Sequence, residues 1–353
     1  MKKRVIIKMV SMFFLLALTT ACQKTPSYDI ESSYGISDVL NSRSQVDLLG
    51  TVITISMYDN APTEVFDVCF DALMDIDNRM SVNKPDSEIS LLNNSGQAVL
   101  SADLYGLIGK AKDFSQRSKG AFDITINPVM CEWKIETEFV RLPTQSEIDE
   151  ALVLVGYESM HLLEQRQIQF EKPGMSIDLG AIAKGYACDV VVGILKEKGV
   201  KYALLDFGGN IYAQGKKPDG SPWRVGIRNP QTGADGYICT VEVIDKAVVT
   251  SGGYERQFER DGVFYHHILN PKTGYPVDNE LLSVTIVAPN ATEADALSTA
   301  CFVLGLSGGV ELLDIMPGYE GIFVTKQSGI YITDGLAENV KITDNQYSEA
   351  PRE

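Results

Sequence analysis

The chain has 353 residues, 44% of them hydrophobic and 22% charged, the balance of a globular protein, which excludes wholesale disorder, a collagen-like repeat and a multi-span membrane protein. Its 47 acidic against 31 basic side chains leave a formal net charge of −16, so there is no general basic field for a polyphosphate backbone and no nucleic-acid partner is expected. Any phosphate must be held locally, and the length suffices for one large core or two smaller ones.

Lys2, Lys3, Arg4 and Lys8 precede an apolar run from Met9 to Leu18, followed by Thr19, Thr20, Ala21 and Cys22. This is the layout of a secretory signal peptide over residues 1–21, and the run is short for a bilayer span. A small residue directly before Cys22 resembles the lipobox of bacterial lipoproteins, with Thr19 where Leu is usual, so Cys22 is expected to become the lipidated first residue. An ordinary cleaved signal with an incidental cysteine is the alternative. Residues 22–45 are polar and Ser-rich and read as a flexible tether, residues 46–340 as the folded domain, and residues 341–353 as a frayed tail. Cys69, Cys131, Cys188, Cys239 and Cys301 are odd in number and lack a CxxC pair, so small buried-hydrophobe roles are expected rather than a zinc site or disulfide scaffold.

From Asp47 to Tyr58 the sequence alternates like a strand, and Glu64 to Met80 has helical apolar spacing. Turn formers at Asn83 to Asp86 mark a loop, and a second helix is expected over Ser101 to Ser118, ended by Gly120. GAFDITINP, residues 120–128, places Phe122 and Asp123 at the start of a short strand. Met175 to Asp206 reads as a strand MSIDLG, a helix from about Ala181 to Lys198 closed by Gly199, and a strand KYALLDFGGN. Strands follow at Trp223 to Arg228, Cys239 to Thr250 and Gly262 to Leu269, the last leading into the turn NPKTGYP. Leu282 to Ala288 is a further strand and Thr292 to Leu304 a helix. Strands and helices mix without strict alternation and with no clean linker, which gives an α+β class.

Only three histidines exist, at 161, 266 and 267, so a His-rich metal centre is impossible and an HExxH helix is absent. Period-2 alternation puts Val263, Tyr265 and His267 on one face and Phe264, His266 and Ile268 on the other. His267 stands just ahead of the rigid turn, where it can act as a base near neutral pH or serve as an ordinary hydrogen-bonded structural histidine. In ATEADALSTACFVL, Asp295 and Thr299 share one helix face, so a carboxylate and a hydroxyl can share a hard cation such as Mg²⁺. The plainer reading is a capping box from Thr292 to Asp295, with Thr299 bonding back within the helix. DLGAIAKGYACD delivers Asp178 and Gly180 and then Lys184 in a first helical turn, which makes either a local anion site or a solvated lysine over apolar surface. It is neither a Walker A loop nor a GxGxxG fingerprint. Gly208 with Gly209, and Gly252 with Gly253, follow apolar strands and permit either tight turns or close approach to a ligand.

Taken in order, GAFDITINP, DLGAIAKGYACD, LLDFGGN, VVTSGGYER, HHILNPKTGYP and ATEADALSTA resemble the ApbE family of FAD:protein FMN transferases, over roughly Val46 to Asp334. The resemblance implies an ApbE-like fold in which mixed and antiparallel sheets with flanking helices form two interleaved lobes around an FAD cleft. It implies that FAD is split at its pyrophosphate, that FMN is attached through a phosphodiester to a Thr or Ser hydroxyl of a partner protein, and that AMP is released. By the same resemblance Mg²⁺ is held by the Asp295 carboxylate, the Thr299 hydroxyl and the Ala181 carbonyl, Lys184 touches the pyrophosphate, and His267 is the general base. Ala121, Phe122, Asp123, Asp178, Ser251 and Gly252 match FAD contacts, and Asn83 stands where the family commonly has an aromatic. Leu49, Gly50 and Thr51 replace a common Met-Gly-Thr. The implied partners are subunits of membrane redox complexes with an outward-facing Thr or Ser. The enzyme itself is then an exported, membrane-anchored lipoprotein facing the periplasm or the cell exterior. FAD hydrolysis to FMN and AMP, and FAD binding without turnover, are the competing activities.

Overall fold

In a computed structural model that describes residues 41–135, 140–231 and 233–351, the chain opens with a hairpin of β1 (Asn41–Leu48) and β2 (Thr51–Met57). The signal-peptide and Cys22 readings lie outside the described residues. The predicted single strand from Asp47 is broken at Leu49 and Gly50, whose φ values of 53° and 67° make the two-residue turn. Strand β1 also begins earlier than the predicted onset at Val46. Its polar residues are satisfied across the pair, with the Ser42 and Ser44 hydroxyls 2.9 and 2.8 Å from those of Ser56 and Thr54.

Next come α1 (Glu64–Met80), α2 (Glu88–Ser95), β3 (Gln97–Val99), α3 (Ala102–Arg117), α4 (Asn127–Trp133) and α5 (Gln145–Leu152). Arg79 ties the first three helices together, bonding Asp75 and Asp103 at 2.8 Å and lying 3.5 Å from Glu88. The guanidinium holds the Asp103 carboxyl well below the usual carboxylate range. The strand predicted in GAFDITINP is instead a 3-10 turn, Ile124–Ile126, because the Asp123 side chain accepts the Thr125 N–H at 2.9 Å and caps it.

After β4 (Met160–Leu162) and β5 (Gln167–Phe170), the segment MSIDLG runs extended without joining a sheet. The Asn93 amide clamps both the N–H and the C=O of Ile177, at 2.8 and 2.9 Å, and the Asp178 N–H bonds the Ile124 carbonyl at 2.8 Å. Its backbone groups are thus satisfied without a ladder, which is why the apolar pattern misled.

The rest of the chain supplies α6 (Ala183–Glu197), β6 (Ala203–Phe207), β7 (Asn210–Gln214), β8 (Trp223–Arg228), β9 (Tyr237–Val243), β10 (Lys246–Gly252), β11 (Gln257–Arg260) and β12 (Val263–His266). It closes with β13 (Leu281–Ala288), α7 (Ala291–Asp314), β14 (Glu320–Thr325), β15 (Gly329–Ile332), β16 (Val340–Ile342) and β17 (Ser348–Glu349). Helix α7 runs past the predicted end at Leu304, after an interruption at Gly305 where Glu280 accepts the Leu306 N–H at 2.6 Å. The predicted frayed tail instead adds β16 and β17, and buried Tyr347 donates to Asn229 at 2.9 Å.

The main sheet has the order β1-β2-β6-β7-β10-β13-β14-β15-β17 and is antiparallel except for β15 with β17. Ile53, Ile55, Leu205, Phe207, Val249 and Val284 point to one face and meet the core side of α1, α6 and α7. Leu204, Ile211, Val248, Val287 and Ile322 point to the other, where Trp223, Val225 and Val241 of the β16-β9-β8 sheet cover them. Each such side chain contributes about 1.5–3 kcal/mol relative to exposure. A third cluster, Trp133, Ile148 and Leu269, joins α4 and α5 to the β11–β12 hairpin through Phe258 and Tyr265. The expected α+β class, mixed sheets with flanking helices, therefore holds. Cys69, Cys188, Cys239 and Cys301 are buried and form no disulfide, and burial pushes the Cys69 thiol up to about 11, as fits packing rather than reactivity. Cys131 is exposed.

Candidate functional site

The ladder registers bring the β1–β2 turn, the β6–β7 turn and the C-terminal end of β10 to one end of the main sheet. Gly208 in the middle turn has a φ of 66°, and a Cβ there would lie 1.9 Å from the Thr51 hydroxyl, so the two turns interlock only with glycine. The first turns of α6 and α7 meet above this end.

Helix α7 does not begin with the predicted capping box. Asn290 is the N-cap, its side chain accepting the Glu293 N–H at 2.9 Å, and Asp189 of α6 accepts the N–H groups of Ala291 and Thr292 at 2.8 and 2.9 Å. A carboxylate of one helix thereby caps the other. The approach is so close that a Cβ at Gly185 would fall 2.2 Å from the Ala291 carbonyl oxygen and 2.8 Å from the Asp295 Cβ.

Asp295 is only 3% exposed in this seam. Its Oδ2 accepts the Gly185 N–H at 2.9 Å and its Oδ1 the Asn210 Nδ2 at 3.0 Å, with Lys184 Nζ 3.8 Å from Oδ1. A carboxylate has about four lone-pair sites, so capacity remains for a cation. The Gly185 N–H is the group that would close on the Ala181 carbonyl in a continuing helix. Since it turns to Asp295, and α6 starts at Ala183 rather than at the predicted Ala181, that carbonyl is not drawn into the helix. Lys184 Nζ also reaches the Gly180 carbonyl at 3.5 Å, and Asp178 accepts the Gly180 N–H at 2.6 Å.

Thr299 lies one turn after Asp295, and its Oγ1 is 3.3 Å from the Ser251 Oγ. Ser251 in turn lies 2.8 Å from Ser298, whose hydroxyl donates to the Asp295 carbonyl at 2.9 Å. The bond back into the helix that the sequence suggested for Thr299 is therefore made by its neighbour.

The two adjacent histidines differ sharply. In His266, Nε2 bonds the Val277 carbonyl at 2.9 Å and Nδ1 accepts the Ile268 N–H at 3.3 Å, so the ring is fixed as a neutral tautomer, edge-on to Phe302. Burial lowers its pKa below the ordinary 6.5. A lowered histidine pKa favours the folded state above about pH 6.5 and loses that contribution as pH falls toward the folded value. His266→Gln is therefore expected to flatten the decline of melting temperature between about pH 7 and pH 5. Equal slopes in variant and parent would remove His266 as the cause.

Strand β12 ends at His266, so the predicted alternation of faces does not extend to His267. Its N–H bonds the Arg256 carbonyl at 3.1 Å and its Nδ1 lies 3.3 Å from the same oxygen. A carbonyl only accepts, so Nδ1 carries the proton and Nε2 the lone pair. The Arg256 guanidinium donates to the Gly50 carbonyl at 3.1 Å, linking this element to the first turn.

Of the remaining sequence candidates, Ala121 and Phe122 have buried side chains. The Asp123 carboxylate accepts from the Thr125 N–H, the Thr125 hydroxyl and the Tyr157 N–H at 2.9, 2.7 and 3.0 Å, bracing its own loop, and burial raises its pKa. Gly252 is buried under the Tyr254 ring, and Asn83 is exposed between α1 and α2. Among the described residues, no hydrogen bond or ion pair joins Asn83, Phe122 or Asp123 to the Asp295 group. Sequence reasoning missed Gly185, Asp189, Asn210 and Ser298, all of which lie inside the motifs it singled out. Their signal was a small or polar residue in otherwise apolar company.

Among the described residues there is no group of three or more His, Cys, Asp and Glu suited to a metal. The seam instead offers one carboxylate, one hydroxyl and one backbone carbonyl, a hard-oxygen set that fits Mg²⁺, which retains waters and substrate phosphates.

A family model described as ApbE family matches residues 49–323. The FAD:protein FMN transferase of Treponema pallidum is 35% identical over 327 residues, covering 87% of this chain and 90% of that protein. That of Klebsiella pneumoniae is 33% identical over 290 residues, covering 81% and 90%. Among solved structures, the ApbE protein of Thermotoga maritima superposes with a TM-score of 0.77 at 31% identity, covering 84% of this chain and 98% of that one. The flavin transferase ApbE of Vibrio cholerae gives 0.76 at 26% identity, covering 85% and 99%.

Proposed function

The chain belongs to the ApbE family and transfers FMN from FAD to protein; starting there, we propose that the acceptor is a Thr or Ser hydroxyl, that Mg²⁺ assists, and that AMP leaves. The observation that carries this reading is the buried Asp295 carboxylate, held between two helix N-termini with Lys184 beside it. The acceptor oxygen bonds to the phosphorus of the FMN half, the pyrophosphate P–O bond breaks, and AMP departs with the bridging oxygen. The hydroxyl proton passes to His267, whose Nε2 lone pair is set by the Nδ1 contact to Arg256. Lys184 and the first turn of α6 bind the anionic pyrophosphate. Bound through Asp295, Thr299 and the Ala181 carbonyl, Mg²⁺ supplies charge neutralisation of the phosphates.

The test is to incubate the mature protein with FAD, Mg²⁺ and a candidate acceptor, reading acceptor mass and free nucleotide together. An acceptor heavier by one FMN with AMP released is expected; FMN and AMP beside an unmodified acceptor would instead make water the acceptor. His267→Gln is expected to lower the turnover rate by about 10²–10⁴-fold and to remove the ascending limb of its pH profile. A normal rate and profile would exclude it as base.

The reading extends to an exported enzyme tethered through lipid on Cys22, supported by the basic start, the apolar run and Ala21. Its partners are then membrane redox subunits that present the acceptor hydroxyl on the same side. Cys22→Ser should release the protein from the membrane fraction, and unchanged partitioning would overturn the anchor.

A further inference from the structure

We propose that Ser251 and Ser298 are positioning residues, forming a one-way chain of hydroxyls that fixes the Thr299 oxygen as a ligand with its lone pairs aimed at the cation. The inference rests on the Mg²⁺ reading above and deepens it. Its warrant is proton bookkeeping. Each hydroxyl has one proton to donate and two lone pairs. A backbone carbonyl only accepts, so Ser298 must spend its proton on the Asp295 carbonyl, 2.9 Å away. The 2.8 Å contact between Ser251 and Ser298 then requires Ser251 to donate. With that proton used, the 3.3 Å contact between Ser251 and Thr299 requires Thr299 to donate. Its proton is directed into the protein and its remaining lone pairs out of it.

Ser298 is fully buried, so reversing the chain would break its bond to the carbonyl with no water to compensate. The chain begins on the residue that would bind the cation and ends on the backbone of Asp295, the other side-chain ligand. One network therefore sets both. Ser251, which the sequence suggested as an FAD contact, has its hydroxyl engaged inside this network.

The experiment counts free Mn²⁺ by its paramagnetic resonance as it is titrated into the mature protein with saturating FAD and no acceptor. Ser298→Ala and Ser251→Ala are each expected to weaken Mn²⁺ binding by about 10- to 100-fold. Ser251→Thr keeps a hydroxyl and should restore it, and in Ser298→Ala metal-free FAD binding, followed by flavin fluorescence, should be unchanged. Ser251, only half-buried, carries the test if Ser298→Ala does not fold. Parental Mn²⁺ affinity in both alanine variants, while Asp295→Asn and Thr299→Val lose it, would overturn the hydroxyl chain and leave the cation site standing. Parental affinity in Asp295→Asn and Thr299→Val would overturn the cation site itself. Failure of Ser251→Thr to recover what Ser251→Ala loses would reduce Ser251 to a packing role.

Discussion

Asp295→Asn is expected to lower FMN transfer by at least about 10³-fold while the protein stays folded, because it removes the charge and keeps the shape. The new side chain can still accept the Gly185 N–H through its oxygen. Its amide then faces Asn210, which can turn its own amide over to present an acceptor. Asp295→Ala is the poorer test, since it leaves two buried donors without a partner at about 1–3 kcal/mol each. Single-turnover transfer measured beside a thermal melt decides the matter: a variant that melts like the parent and still transfers within tenfold of it would remove Asp295 from the chemistry.

Gly185→Ala should be strongly destabilising for the addition of a single methyl group. The glycine sits in a regular helix, where alanine is ordinarily favoured by about 1 kcal/mol. Here the added carbon would stand 2.2 Å from a backbone carbonyl oxygen of α7, and neither helix can yield without loosening the Asp189 cap. Overpacking of this kind costs about 1–3 kcal/mol or more and outweighs the propensity gain. The expected outcome is a melting temperature lowered by roughly 2–6 °C together with weakened Mg²⁺ dependence of FAD binding. A variant as stable as the parent would mean that the helices are not locked at this distance.

Much of the fold was legible because its signals are local. Apolar spacing located α1 and α3, β13 was placed within a residue, and Gly199 closes α6 with a left-handed φ of 78° as expected. The misses at MSIDLG and GAFDITINP share one cause. In both, side chains distant or adjacent (Asn93 and Asp123) satisfy the backbone in place of a strand partner, and an apolar pattern cannot report this. At the site, spacing put Asp295 and Thr299 on one helix face, and the family resemblance, not the spacing, made them the expected metal ligands. The sequence had no access to Asn210 or Asp189, because their roles exist only once β7 and α6 are brought against α7. Alternation already set His267 apart from His266, but which nitrogen of each ring carries the proton was not legible, since it depends on the carbonyl that each ring meets.

The bonds that hold Asp295 reach back 110 residues to Gly185 and 85 to Asn210, and those from Asp189 span more than a hundred. Contacts of such separation carry a large loop-closure cost and form late, so no fragment of the chain can assemble the carboxylate seat on its own. During synthesis, the chain must have emerged past Asp295 before the seat between the two helices exists. Competence for flavin transfer therefore arises in one step with completion of the domain, and a truncated or half-folded chain has no partial version of it to misuse FAD.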